Sequence, residues 1–159
     1  MSTPTSTAAR SAFGQELFDG LAALPGSQRL TSEQLEVIYA LAYAHVAQGQ
    51  YAQALPVFAF LSQYGPTRKH YLAGLALCLQ MEARYDEAIR IYSLIGVLFP
   101  TAAEATLRVA ECQLAQAQLD AARASLELVL ASAREDAAHA GLAPRAQALL
   151  SALTKEAHA

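Results

Sequence analysis

Two cysteines, Cys78 and Cys112, are all that the 159 residues contain, which is too few for a disulfide scaffold. Charge is also scarce, at 16% of residues, and the eleven Lys and Arg are scattered, leaving a formal net charge of −3. Nucleic acid and anionic membrane surfaces both call for clustered basic side chains, so neither is expected as a partner. Strand-favouring runs of Val, Ile and Thr are missing. No uninterrupted apolar window reaches the ~18 residues of a membrane-spanning helix, so no membrane insertion is expected. The opening Met1-Ser2-Thr3-Pro4-Thr5-Ser6-Thr7 has no basic residue followed by an apolar stretch, so it does not read as a secretory signal. The expected location is the cytoplasm. The histidines, His45, His70, His139 and His158, do not fall at metal-ligand spacing. Neither a Gly-rich phosphate loop nor a nucleophile–base pair nor paired catalytic carboxylates can be assembled. No metal, cofactor or enzymatic activity is expected.

What is present is hydrophobic, at 54% of residues, and rich in Ala and Leu. Those are strong helix formers, so the fold class is all-α. Self-similarity organises it. The segments Gly49-Gln50-Tyr51-Ala52-Gln53-Ala54, Ala83-Arg84-Tyr85-Asp86-Glu87-Ala88 and Ala117-Gln118-Leu119-Asp120-Ala121-Ala122 follow one another at a constant interval. The same register aligns Ala42, Ala76 and Ala110, then Ala54, Ala88 and Ala122. It also aligns Leu41, Leu75 and Val109, and the large residues Phe58, Tyr92 and Leu126. Pro66 and Pro100 close the first two units.

A helix-turn-helix unit accounts for this pattern. Small residues let the two helices of a hairpin approach closely, and large ones fill the space between hairpins. Period and pattern match the tetratricopeptide repeat. Helices are expected at about 33–48 and 51–63, 67–82 and 85–97, and 101–116 and 118–132, giving repeats at about 35–66, 69–100 and 103–134. Thr31 or Ser32 caps the first repeat helix. Pro56 lies about one turn into its helix, where some distortion is expected. An amphipathic helix over 13–24 puts Phe13, Leu17, Leu21 and Leu24 on one face, ended by Pro25-Gly26. A capping helix over about 143–157 turns Leu149, Leu150 and Leu153 inward, and falls outside the repeat because Pro144 occupies its small-residue position. The architecture expected is an α-solenoid of three repeats between an N-terminal and a C-terminal helix. It forms one domain over 11–159, after a disordered tail over 1–10.

The first helix of each unit is apolar over a wide arc. In unit one, Ile38, Leu41, Ala42 and His45 pack, while Tyr39, Tyr43 and Val46 fall on an adjacent face. Unit two places Ala73, Leu77 and Met81 there, beside His70 and Gln80, and unit three places Leu107, Glu111 and Leu114. Either this second face is ordinary core, or it is a concave groove that seats an extended peptide; the groove is the favoured reading. Glu111 is the acid on that face, as an anchor or as a solvated carboxylate. Cys78 and Cys112 occupy the same place in successive units and read as small buried hydrophobes.

Leu35-Glu36-Val37-Ile38-Tyr39-Ala40-Leu41-Ala42-Tyr43 before Gly49-Gln50-Tyr51, then Tyr71-Leu72-Ala73-Gly74-Leu75-Ala76, Tyr85-Asp86-Glu87-Ala88-Ile89 and Ala110-Glu111-Cys112 together resemble a family. It is the class II chaperones of bacterial type III secretion, the SycD/LcrH-like tetratricopeptide chaperones of translocator proteins. The resemblance spans roughly residues 13–155. It implies a chaperone that binds an extended translocator segment with hydrophobic and proline anchors, and keeps the translocator unassembled before export. By position it implies a peptide site at Tyr39, Tyr43 and Val46, at His70, Ala73 and Leu77, and at Leu107, Glu111 and Leu114. Val46 departs from an aromatic common in the family. The resemblance also implies a homodimer when free, with Phe13, Leu17 and Leu21 at its interface. Alternatives are a needle-subunit chaperone of the same system, or a structural tetratricopeptide scaffold of an envelope or pilus assembly.

Overall fold

Small side chains decide where the helices of this chain touch. Ala42, Ala54, Ala76, Ala88, Ala110 and Ala122 are all 0% exposed. The computed structural model describes residues 9–159, and every regular element among them is helical. The hairpins are α2 (Ser32–Ala47) with α3 (Tyr51–Tyr64), α4 (Lys69–Met81) with α5 (Tyr85–Leu98), and α6 (Ala103–Ala115) with α7 (Leu119–Glu135). Before them comes α1 (Ala12–Ala22) and after them α8 (Ala143–Ala157). Phe58, Tyr92 and Leu126 are buried at equivalent points, each contributing about 1.5–3 kcal/mol of burial. Cys78 and Cys112 are also fully buried, which pushes both thiols up to about 11 and leaves them uncharged.

The helix ends follow local chemistry. Thr31 caps α2 in a reciprocal box: its hydroxyl accepts from Gln34 N–H, and the Gln34 side chain accepts from Thr31 N–H. α3 runs unbroken from Tyr51 to Tyr64, with Pro56 on its exposed side. Each first helix ends in a left-handed residue at the same register: Gly49 (φ 71°), Ala83 (φ 58°) and Ala117 (φ 57°). The next amide then donates back to close the helix, Gln50 to the His45 carbonyl, Arg84 to Leu79 and Gln118 to Gln113. Only the first turn has the residue that adopts this conformation without strain.

Two sequence expectations are corrected. Leu41, expected to pack, is 55% exposed. Its counterparts Leu75 and Val109 pack against the preceding hairpin, and no hairpin precedes the first. The reason is that α1 lies on α5 rather than ahead of α2. Gly14 makes that approach possible, since a Cβ there would sit 2.8 Å from the Val97 carbonyl oxygen. The buried face of α1 is therefore Gly14, Leu17, Phe18 and Leu21, while Phe13 and Leu24 face outward. Second, the tail does not extend to residue 10. The Arg10 guanidinium stacks 3.9 Å from the Phe18 ring centroid and donates to the Leu98 carbonyl. Residues 1–8 of that expected tail lie outside the described residues.

α8 covers the last hairpin without repeating its small-residue contact, since Pro144, one period after the buried Ala110, is exposed. The helix packs on α7 as α4 packs on α3. Ala146, fully buried, stands one repeat period after Cys112. Pro144 is accommodated in the first turn of the helix, where its missing N–H costs nothing. Leu153 is buried there, with Leu149 and Leu150 packed beside it.

Two substitutions at these turns should stabilise the chain and one should not. Ala83→Gly and Ala117→Gly are each expected to add about 0.5–1 kcal/mol by relieving the left-handed backbone, and Gly49→Ala to cost about 1 kcal/mol. No neighbour crowds position 49, so its effect is purely conformational. Urea unfolding of the three variants checks the signs.

Candidate functional site

α2, α4 and α6 lie in sequence along one side of the stack, and a cleft of about 250 Å³ runs across them. Tyr39, Tyr43 and Val46 of α2 form one wall. Lys69, His70, Ala73, Gly74 and Leu77 of α4 run along the middle, and Glu104, Ala105 and Arg108 of α6 form the far wall. Phe58 of α3 and Tyr92 and Ile95 of α5 reach through from the second helices to make the floor.

The surface is therefore built in two depths. Tyr39 belongs to the core as well as to the cleft: its ring centroid lies 6.0 Å from Phe58, 4.8 Å from His70 and 5.8 Å from Tyr71. Tyr43 and Leu77 stand outside every buried cluster, and Tyr43 is 59% exposed. Gly74 lets the Phe58 ring lie across α4, because a Cβ there would collide with that ring.

Polar groups hold the walls. Tyr71 donates its hydroxyl to Glu36 Oε1 at 2.7 Å, and His70 Nε2 lies 2.7 Å from the same oxygen. These two hydrogen bonds hold the Glu36 carboxyl below its ordinary value. Burial, then the Glu36 contact, raises the Tyr71 phenol well above its ordinary range. Tyr92 donates to Gln80 Oε1 at 2.9 Å, and burial raises its phenol likewise. His45 is a structural residue, its Nδ1 2.7 Å from Gln50 Oε1.

Six of the expected peptide-site residues share this cleft: Tyr39, Tyr43, Val46, His70, Ala73 and Leu77. The expected third-unit residues do not line it. Leu107 is 7% exposed, and Leu114 packs with it against α7 and α8. Glu111 is tied down by three side chains: Gln80 Nε2 at 3.4 Å, Arg108 Nη1 at 3.3 Å and Arg145 Nη2 at 3.3 Å. The physical reason is α8. The face that is open on the first two units meets this helix on the third. Of the lining residues outside the expected set, Glu104 and Arg108 carry a signal in the sequence, standing one repeat period after His70 and Gly74. Phe58 and Tyr92, expected as filler between hairpins, serve as floor too.

Residues 45–98 match the sequence profile of the tetratricopeptide repeat. The chain is 27% identical over 124 residues to the low calcium response locus protein H of Yersinia pestis, spanning 78% of this chain and 74% of that protein. PcrH of Pseudomonas aeruginosa, in complex with the chaperone binding region of PopD, superposes with a TM-score of 0.75 at 30% identity. That match covers 80% of this chain and 96% of PcrH. The Yersinia enterocolitica type III secretion chaperone SycD, in complex with a peptide of the translocator YopD, gives a TM-score of 0.74 at 27% identity. It covers 81% of this chain and 98% of SycD.

The glycine under Phe58 gives a direct test of how tightly the floor is packed. Gly74→Ala gains about 1 kcal/mol of helix propensity but loses about 1–3 kcal/mol to overpacking, so a net loss is expected. Gly96→Ala on α5, where an added Cβ meets nothing, should instead gain up to about 1 kcal/mol. Opposite shifts in urea midpoint would bear this out; equal shifts would show that Phe58 moves freely.

Proposed function

The chain belongs to the tetratricopeptide chaperones of type III secretion translocators, and we propose that its cleft receives an extended segment of a secreted translocator. Holding that segment keeps the client soluble and unassembled in the bacterial cytoplasm before export. The observation that carries the reading is the cleft itself: an apolar surface running over three stacked helices, with Tyr43 and Leu77 left uncovered by the chain's own core.

The energetics suit reversible holding. Burying one Leu-sized anchor yields about 1.5–3 kcal/mol, whereas micromolar affinity requires about 8 kcal/mol. Several anchors are therefore needed, and Tyr43, Val46, Ala73 and Leu77 offer successive apolar surfaces along the walls. Phe58, Tyr92 and Ala105 extend the expected site, while Leu107, Glu111 and Leu114 support it from behind. The work is apolar burial and requires no catalysis or energy source. No helix among the described residues is long and apolar enough to cross a membrane.

Free of client, the chain is a homodimer in this reading, a state supported by the dimer of SycD. Leu17 and Leu21 are spent on the chain's own α5, so Phe13, 67% exposed, is the α1 residue available to a second copy.

Co-expression with candidate clients and pull-down should recover a protein with long apolar helices at a simple stoichiometry. Tyr43→Glu combined with Leu77→Glu is expected to weaken client binding more than tenfold while leaving helical circular dichroism and melting temperature unchanged. Tyr39 is a poor choice for this test, because its ring packs within the core. Undiminished binding by the folded double variant would rule the cleft out as the client site.

A further inference from the structure

The cleft walls carry a different charge from the rest of the molecule. The chain is net −3, yet its lining includes Lys69 and Arg108 against the single acid Glu104. Lys69 is exposed and has no ion-pair partner among the described residues. Arg108 shares the Glu111 carboxylate with Arg145, so one negative charge answers two guanidiniums, of which Arg108 lines the cleft.

Lys69 is also poorly placed for its own helix. It opens α4, between Arg68 and His70, where the helix dipole disfavours a cation. The first turn of α4 holds no acid to offset that cation, as is also true of α1, α3 and α8. His70 is engaged by Glu36, and Arg68 donates to the Ser32 hydroxyl, which leaves Lys69 as the uncompensated cation at the cleft.

We infer that the cleft selects segments carrying a side-chain carboxylate close to an apolar anchor, with Lys69 and Arg108 receiving the acid. This rests on the reading of the cleft as the client site. Lys69 precedes Ala73 and Leu77 by one and two turns of α4, about 6 and 12 Å at the helical rise. An extended chain advances about 3.3 Å per residue, so the acid lies about two to four residues from the anchor. Glu111 is the positioning residue: it holds Arg108 at the wall and ties that wall to Gln80 on α4 and Arg145 on α8.

The probes are end-capped peptides of about nine residues with a Leu anchor flanked by prolines. Glu, Gln or Lys is placed about three residues to either side of the Leu. Binding is read by calorimetry at low and high salt. For one of the two placements, the Glu peptide should bind about three- to fivefold more tightly than the Gln peptide, with Lys weakest. That preference should shrink at about 0.5 M salt and vanish in Lys69→Gln/Arg108→Gln, whose melting temperature is checked alongside. Equal affinities for Glu and Gln in both placements, or a preference that survives in the variant, would overturn the inference while leaving the cleft as the client site. Binding that Tyr43→Glu/Leu77→Glu does not weaken, or no binding by any peptide, would overturn the site reading and this inference together.

Discussion

Everything in this molecule depends on how closely its helices can approach at the alanines. Side chains at Ala42, Ala76 and Ala110, and at Ala54, Ala88 and Ala122, have no solvent contact at all. Helix axes pack about 8–10 Å apart according to the side chains between them, and a methyl group sets the near end of that range. Repeating the same close contact in every unit repeats the same rotation from one hairpin to the next. The array therefore curves, and its first helices line one side. A larger residue at any of these points would change both the hairpin and the width of the cleft.

The cleft exists because the large residues do two things at once. Phe58 and Tyr92 fill the space between hairpins, and their upper edges become the floor on which a ligand would rest. Gly74 matters for the same reason, since removing its side chain is what allows Phe58 to lie flat across α4. The floor is then as rigid as the core it belongs to. Tyr43 and Leu77 line the same cleft outside that packing, so part of its surface is separate from what stability needs. A groove of this kind is prepared before its ligand arrives, which lowers the ordering cost of binding.

The two ends of the stack are handled differently. At the C-terminal end α8 covers the last hairpin, and the Glu111–Arg145 contact spans the same one-repeat interval as Glu36–His70 between α2 and α4. At the N-terminal end α1 folds away onto α5, anchored by Gly14 and by Arg10 over Phe18. Val37 and Leu41 of α2 consequently remain in solvent.

The period is legible from single residues. Ala, Phe or Tyr, and Gly or Ala recurring at one interval are enough to locate all three hairpins and their helix boundaries within a few residues, because close contacts and left-handed turns each restrict residue type at a known position. The first two units' share of the cleft can be read as well, from apolar residues in excess of what one hairpin contact uses. In the third unit the excess of apolar residues misleads. Leu107, Glu111 and Leu114 have the right spacing, but whether an apolar arc meets solvent or another helix depends on a partner distant in sequence, here α8. The same limit applies to α1, whose buried stripe is shifted by one position because a glycine, invisible to any count of apolar residues, makes the contact. Sequence alone determined the repeat, since periodicity is a local property of side-chain size. Tertiary structure alone decided which apolar faces stayed open, since exposure is set by what else the chain brings to lie against them.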